Sequence, residues 1–310
     1  MSLMAPVLGS PVRPDYHVNR ASPRRPDAAH TNFLMVPSGD RQIRVGLATE
    51  RAEFEQAFRL LATRYEERGY DAGGSGEFRF TPSHALPRTV TFVAKDGDRV
   101  VATLSMVPDN ATLGLPMESL YADEVGALRC EGRRLAEVIS LADDGLGPRE
   151  FLRVFLAMIR VMFQYHVRNG GDSWVITVNP RHRGFYRKVL GFVPLGPRRA
   201  YSAVGGHPAE AYLLDVDLMR ENAPAKHREI FGEALPLPVL TARARPADHA
   251  HYFGARSSQA DYMTILRVLA ACDERRREAR GIGHAKEPDA RGGRGTPPRP
   301  RPRAAIAPAG

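Results

Sequence analysis

The stretch "WVITVNPRHRGFYRKVLGFVPLG" (residues 174–196) contains the most distinctive pattern of the chain. An apolar, β-branched run ends at an Asn-Pro pair, and a basic stretch follows that contains Phe-Tyr and then Leu-Gly-Phe. The run predicts a buried strand over 173–179, and the basic stretch predicts a short helix over 180–190 with proline in its first turn. The pattern therefore presents a tyrosine, Tyr186, from a short helix that follows a buried strand.

Strands and helices alternate on both sides of this stretch, which indicates a mixed α/β protein. Strands are predicted over 42–48, 134–142 and 209–218, a hairpin over 88–107 with its turn at Asp96-Gly97, and helices over 49–69 (Thr49 as N-cap, Gly69 as C-cap), 117–132, 148–171 and 257–280.

Composition divides the chain into four parts. Residues 1–40 and 281–310 are rich in Pro and Arg without hydrophobic periodicity, which predicts a flexible N-terminal arm and a disordered Pro/Arg/Gly tail. Between them we predict one folded domain over 41–220 and a helical extension over 221–280.

The net charge of +9 belongs mainly to the ends of the chain. Residues 273–310 carry +5 and residues 1–41 carry +2, which leaves +2 for residues 42–272. A nearly balanced domain argues against a specific nucleic-acid partner. The two cysteines provide no disulfide framework, and no apolar run has the length of a signal peptide or a membrane span. A cytoplasmic protein without a transmembrane segment is expected.

Two strings carry a family resemblance. The order of elements and the spacing of Asn179, Phe185-Tyr186 and Gly191-Phe192 resemble the GNAT acyltransferases. "VNPRHRGFYRKVLGF" together with "SLYADEVGALRCEGRRLAEVISLA" more specifically resembles the FeeM-type long-chain N-acyl amino acid synthases, which are GNAT relatives of the acyl-homoserine-lactone autoinducer synthases. The resemblance covers roughly residues 42–220. It implies a central, mostly antiparallel, splayed sheet flanked by helices.

The same resemblance implies an activity. A long-chain acyl group passes from acyl carrier protein, or from acyl-CoA, to the amine of an amino acid. The acyl-phosphopantetheine is a cosubstrate, and no cofactor is bound permanently. Two other functions remain open at this point: an acetyl-CoA-dependent N-acetyltransferase of the GNAT type, and a non-catalytic nucleic-acid binder that uses the basic tails.

The chain departs from the family patterns at two places. GNATs carry an Arg- or Gln-led, glycine-rich loop before the long helix, where backbone N–H groups hold the CoA pyrophosphate. Here the stretch reads "LADDGLGPREF", so the Arg is missing and Asp143-Asp144 are expected to repel a pyrophosphate. Carrier protein is therefore the expected donor. Ser140 stands where autoinducer synthases tend to place Arg, which counts against S-adenosylmethionine as a substrate.

Two residues are candidates for proton transfer. Glu137 lies in an apolar strand, where burial would raise the pKa of its carboxyl toward neutrality, and GNATs often use a Glu on this strand as the base. The alternative is a Glu137 that faces a solvated groove or pairs with Arg133 or Arg134. Tyr186 is the candidate acid for the leaving thiolate, and its alternative is an ordinary core aromatic.

Three further groups complete the predicted site. The resemblance implies oxyanion and acyl-donor contacts from the backbone of Leu141 and Ala142 and from Gly145, Gly147 and Asn179. Apolar side chains of the long helix either line an acyl tunnel or belong to the core: Phe151, Phe155, Met158 and Met162. A basic cluster either meets an acidic carrier protein or is a solvated helix face: Arg181, Arg183, Arg187 and Lys188. His166, His182 and His207 lack ligand spacing, so no metal is expected.

Overall fold

The computed structural model describes residues 32–70, 77–222 and 233–243. The predicted helix over 257–280, the predicted tail over 281–310 and most of the predicted N-terminal arm lie outside the described residues. The boundaries proposed for the folded domain and its extension stay predictions.

Eight strands form one sheet in the order β1-β2-β3-β4-β5-β6-β8-β7. They are β1 (Leu34–Ser38), β2 (Arg41–Leu47), β3 (Val90–Asp96), β4 (Arg99–Pro108), β5 (Leu135–Asp143), β6 (Ser173–Val178), β7 (Val193–Tyr201) and β8 (His207–Asp215). Neighbouring strands are antiparallel except β5 and β6, which are parallel. The predicted mixed α/β fold with a mostly antiparallel sheet is confirmed.

Helices cover both faces of this sheet. The long ones are α1 (Arg51–Glu67), α2 (Glu118–Cys130) and α3 (Pro148–Arg168), and short helices span Val216–Asn222 and Leu237–Thr241. On β3, Phe92 and Ala94 pack in the core that contains α3, whereas Val93 between them packs with α1. This alternation follows from the two-residue period of a strand and places α3 on one face and α1 on the other.

The structure corrects four predictions about element bounds. Leu34–Ser38 pairs with β2, so the flexible arm does not extend to residue 40; a five-residue edge strand that contains a proline gives little local signal. The N-cap of α1 is Glu50 and not Thr49, because the Glu53 carboxylate accepts from the N–H groups of both residues. The hairpin loop is Gly97-Asp98, since Asp96 already pairs with Arg99.

The fourth correction concerns the end of the sheet. β8 ends at Asp215, because the Asp215 carboxylate accepts from the N–H groups of Asp217 and Leu218 and starts a helix there. Strand β7 has no counterpart in the prediction. Its two prolines and largely exposed side chains hide the alternation by which a strand is recognised.

The basic stretch forms one helical segment of three geometries. It consists of a 3₁₀ turn (Pro180–His182), an α turn (Arg183–Phe185) and a π turn (Tyr186–Leu190). The Asn179 side chain caps it by accepting from Arg181 N at 3.1 Å. Gly191, with φ of 80°, ends it in the left-handed region. The predicted helix over 180–190 is therefore present, and its π turn carries Tyr186.

The sheet opens at its centre. β5 and β6 pair over Leu135–Glu137, and beyond these pairs the two strands separate. On the other side of β5 the register with β4 shifts between Thr103 and Ser105. Ser140, opposite this shift, has a φ of 61°, which is rare for a residue with a side chain. The bulge and the separation create a cleft immediately after Glu137.

Within the described residues, no helix is both long and apolar enough to cross a membrane.

Candidate active site

Two cavities meet where β5 and β6 separate. The larger has a volume of about 570 Å³ and the smaller about 180 Å³. They share wall residues from both strands, namely Val138, Ile139 and Ser140 from β5 and Thr177 and Val178 from β6. Glu137 lines the smaller cavity and Tyr186 lines the larger one. The candidate base and the candidate acid therefore approach the junction from opposite sides.

Glu137 is a buried carboxyl with a single described hydrogen bond. Its side chain is 1% exposed, and Met117 N donates to its Oε2 at 2.7 Å. Arg133 pairs with Asp215, and Arg134 pairs with Asp172, so the described residues do not show the alternative in which these arginines neutralise Glu137. Burial raises the pKa of Glu137 to about 8, although the Met117 N–H acts in the opposite direction. Such a carboxyl can accept a proton near neutral pH.

Tyr186 packs among aromatic rings at the wall of the larger cavity. Its ring centroid lies 5.4 Å from that of Phe185 and 5.9 Å from that of Phe192, both edge to face. Burial raises the pKa of Tyr186 to about 12, and the nearby Tyr65 adds to the rise. The phenol therefore stays protonated and available as a donor. Tyr186 therefore both packs against the core and lines the larger cavity.

His84 and Ser140 form a pair that the sequence does not reveal. Thr81 N donates to His84 Nδ1 at 3.0 Å, and burial lowers the pKa of His84 to about 4. The ring is therefore neutral with its proton on Nε2, which lies 3.2 Å from Ser140 Oγ. This hydrogen bond holds the serine in its left-handed conformation at the bulge. The two residues are 56 positions apart, so no local pattern connects them.

Thr177 is a second residue that sequence reasoning missed. It lines both cavities, and its Oγ1 is buried without a hydrogen-bond partner among the described residues. A buried hydroxyl of this kind is costly unless a water or substrate atom satisfies it. Its signal in the sequence was only its place at the end of a predicted strand.

Of the five predicted donor contacts, Leu141 and Asn179 line the cavities, whereas Ala142, Gly145 and Gly147 do not. Leu141 lines the larger cavity, and Ala142 pairs with Thr103 just past the bulge. Gly147 is the N-cap of α3, and Gly145 has a φ of 68°. Asn179 lines both cavities. Their roles as oxyanion and donor contacts stay predictions.

The premise that Asp143-Asp144 would repel a pyrophosphate is wrong in this structure. Asp144 pairs with Arg64 at 3.1 Å and also with Arg99, and the Asp143 carboxylate accepts from Leu146 N at 3.0 Å. Arg64 belongs to α1 and Arg99 to β4, so folding brings compensating charge from distant parts of the chain. The loop is nearly balanced, and its charge does not exclude CoA.

One face of α3 supplies the apolar wall of the larger cavity. Phe151, Phe155 and Met162 line it together with Ile159. Positions 151, 155, 159 and 162 recur at helical spacing, which places them on one stripe. Met158 does not line this cavity; it is fully buried in the core. The set of side chains predicted to line an acyl tunnel therefore has to include Ile159 and to exclude Met158.

The basic cluster borders an open surface groove of about 910 Å³, hereafter the basic groove. Its walls include all four predicted residues and also Arg198 and Val193. All four predicted residues are exposed, and Arg181 also donates to the Tyr70 hydroxyl at 2.9 Å. The groove lies on the helical segment that carries Tyr186.

Within the described residues no three His, Cys, Asp or Glu side chains come together as a metal site requires.

Comparison of the sequence and the structure with known proteins identifies a family. Residues 56–215 match the family "N-acyl amino acid synthase FeeM". The structure of FeeM, an N-acyl amino acid synthase from uncultured soil microbes, is 30% identical with a TM-score of 0.51, over 60% of this chain and 96% of that one.

Two acyl-homoserine-lactone synthases are more distant. LasI is 13% identical with a TM-score of 0.44, over 69% of this chain and 98% of that one. BjaI, a CoA-dependent enzyme, is 18% identical with a TM-score of 0.42, over 62% of this chain and 92% of that one. No curated protein matches the chain. Because the family match spans more than half of the sequence, the chain belongs to the FeeM family of N-acyl amino acid synthases and is an acyltransferase.

Proposed function

We propose that the protein transfers a long-chain acyl group from acyl carrier protein to the amine of an amino acid. The observation that carries this proposal is the junction itself: a buried carboxyl, Glu137, lines a small cavity that shares wall residues with a larger one, and both cavities have mostly apolar walls. The smaller cavity receives the amine, and the larger one receives the acyl chain with its thioester at the junction.

The apolar wall supports a long acyl chain over an acetyl group. A cavity of about 570 Å³ lined by Phe151, Phe155, Ile159 and Met162 falls within the usual size of ligand pockets and exceeds what a two-carbon group fills. Burying each methylene of the chain contributes about 0.8 kcal/mol. The alternative of an acetyl-CoA-dependent enzyme leaves this wall without a use.

The chemistry follows from the positions of the two proton carriers. Glu137 takes a proton from the ammonium of the acceptor, and the free amine nitrogen attacks the thioester carbon. Backbone N–H groups near Leu141 and Ala142 stabilise the oxyanion. The C–S bond then breaks, the nitrogen keeps the acyl group and passes its second proton to solvent, and Tyr186 donates a proton to the departing sulfur. Glu137 releases to solvent the proton that it took from the ammonium. The Tyr186 phenolate regains that proton from solvent.

The basic groove supports a carrier protein as donor. Arg183, Arg187 and Lys188 extend from the same helical segment that presents Tyr186 to the thioester, so an acidic carrier docked there would have its phosphopantetheine arm close to the larger cavity. The alternative of a nucleic-acid binder depends on the tails, and membership of an enzyme family argues against it.

The direct test is mass spectrometry of organic extracts from a bacterial host that expresses the protein. We expect N-acyl amino acids in the extract, and we expect their loss when Glu137→Gln is expressed to the same level. Extracts of the two strains that are identical, together with purified enzyme that acylates no amino acid from either acyl carrier protein or acyl-CoA, would contradict the proposal.

A further inference from the structure

Ser140 lies where the two cavities meet, and its backbone has an unusual conformation there. It lines both cavities, whereas His84 lines the smaller one and not the larger. Its φ of 61° lies in the left-handed region, opposite the shift in register between Thr103 and Ser105 of β4. A serine in this conformation is costly unless its surroundings fix it, and such strain is concentrated at functional sites. Ser140 is therefore a candidate for contact with the reacting groups.

The polarity of the contact between Ser140 and His84 is fixed on the far side of the imidazole ring. Thr81 N donates to His84 Nδ1 at 3.0 Å, so this nitrogen is an acceptor and carries no proton. Burial lowers the pKa of His84 to about 4, which keeps the ring neutral near pH 7. The single ring proton therefore lies on Nε2, 3.2 Å from Ser140 Oγ, and the histidine is the donor in this hydrogen bond.

This polarity decides which chemistry the serine can perform. Because Nε2 already carries a proton, His84 cannot take one from Ser140, and the pair is not a nucleophile with its general base. The Ser140 oxygen accepts from the imidazole, so its own proton has to point elsewhere. Among the described residues, the contact with His84 is the one hydrogen bond of this side chain. The hydroxyl proton is therefore available to an acceptor inside the cavities.

We propose that the Ser140 hydroxyl donates to the carbonyl oxygen of the thioester and stabilises the oxyanion, with His84 as its positioning residue. This inference rests on the proposed function, which puts the thioester at the junction that Ser140 lines. It adds a side-chain donor to the backbone N–H groups near Leu141 and Ala142. A serine whose oxygen is already engaged by His84 needs little reorganisation when negative charge develops, and such preorganised donors are the effective ones.

The test measures whether the hydroxyl acts on the carbonyl oxygen itself. The donors are a long-chain acyl thioester of acyl carrier protein and its dithioester analogue, in which sulfur replaces the carbonyl oxygen, with one amino acid as acceptor. Sulfur accepts hydrogen bonds weakly, so loss of the serine proton should slow the thioester more than the dithioester. In Ser140→Ala we expect kcat for the thioester to fall about 10- to 100-fold and the ratio of thioester to dithioester kcat to fall about tenfold, because backbone donors remain where loss of one donor costs ~10²–10³.

Two further variants separate the hydroxyl from the backbone around it. Ser140→Gly also removes the hydroxyl, but glycine adopts a positive φ without strain, so a ratio lowered as much as in Ser140→Ala assigns the effect to the lost proton. Ser105→Ala is the matched control. Ser105 is a buried serine beside the same register shift, its hydroxyl lies 3.0 Å from Thr91 Oγ1, and it lines neither cavity. The ratio in Ser105→Ala should equal that of the wild type.

The same ratio tests the role of His84. In His84→Leu the serine hydroxyl stays but its proton is no longer directed, so the ratio should fall, by less than in Ser140→Ala. His84→Gln, whose side-chain amide can still donate to Ser140 Oγ, should stay closer to the wild type. A wild-type ratio in His84→Leu would remove His84 as the positioning residue.

The inference fails if Ser140→Ala and Ser140→Gly slow both donors equally, or leave both unchanged, while the wild type acylates amino acids. The proposed function then stands with backbone donors alone. A ratio that falls in Ser140→Ala and recovers in Ser140→Gly would assign the effect to the backbone and overturn the inference as well. A wild type that transfers no acyl group from the carrier-bound thioester contradicts the proposed function itself.

Discussion

We expect the two cavities at the junction to select their substrates by different physics. The larger one has a mostly apolar wall from α3 and β6, which attracts a chain in proportion to the area buried and without direction. The smaller one carries Arg79, His84, Glu137 and Tyr201, whose contacts depend on geometry and charge. From this comparison we expect the enzyme to tolerate variation in the acyl chain and to be more selective for the acceptor.

A single strand separates these environments. On β5, Val138 packs against the core that contains α3, whereas Ile139 packs with Leu86 and Val107. Because neighbouring strand residues point to opposite faces, Glu137 and Ile139 turn away from α3. In the proposed function, the reaction takes place where β5 stops pairing with β6, because both cavities reach that opening.

The largest effect should come from removing the base. We expect Glu137→Gln to lower kcat by about a hundredfold or more, because a general base contributes ~10²–10⁴. The change lies in the smaller cavity, so the affinity for the acyl donor should not change. The measurement is turnover at saturating donor, with Glu131→Gln, an exposed glutamate of the same region, as control. Near-wild-type turnover would remove Glu137 from the mechanism.

Removing the acid on the other side of the junction should have a smaller effect. We expect Tyr186→Phe to lower kcat by about 10- to 100-fold, at the low end of general acid catalysis, since a thiolate leaves without a proton more readily than an amine does. The loss should shrink for thioesters of more acidic thiols. A loss that is independent of the thiol pKa would show that Tyr186 only packs.

Filling the larger cavity should alter chain-length preference and nothing else. Ile159→Phe narrows the cavity, and we expect kcat/KM for a long-chain donor to fall about tenfold relative to a short one while KM for the acceptor is unchanged. Met158→Phe is the matched control, because Met158 is the neighbouring residue on α3 and packs in the core without lining the cavity. Both changes cost about 1–3 kcal/mol of stability by overpacking. An equal change of chain-length preference in both variants would contradict the assignment of Ile159, and not Met158, to the wall of the larger cavity.

Charge reversal in the basic groove, where we propose that the carrier protein docks, should have the smallest effect. With Arg183→Glu and Arg187→Glu combined, we expect kcat/KM for the carrier-bound donor to fall up to about tenfold at low salt through slower association, and a short pantetheine thioester to be barely affected. The exposed Arg88→Glu outside the basic groove serves as control. Equal kinetics for acyl-CoA and acyl carrier protein, insensitive to salt, would contradict a carrier-protein donor and favour acyl-CoA.

The features that the sequence predicted are those with local signals. The apolar run around Glu137 indicated a buried carboxyl, and the helical stripe of Phe151, Phe155 and Met162 indicated a common face. Features that depend on distant pairs could not be predicted. Asp144 meets Arg64 across 80 positions, and Ser140 meets His84 across 56. Hydrophobic periodicity contains no information about such contacts, so the charge of the glycine loop was misjudged.

The pH dependence of kcat/KM tests most directly the claim that Glu137 is the base. Burial holds the pKa of this carboxyl at about 8, and only its ionised form accepts a proton, so activity should rise as pH increases through that value. Using two acceptors with different amine pKa values separates the ionisation of the substrate, which moves with the acceptor, from that of the enzyme, which does not. We expect the acceptor-independent transition near pH 8 in the wild type and its absence in Glu137→Gln. A transition that persists in Glu137→Gln, or a wild-type profile that is flat through this range, would contradict the account.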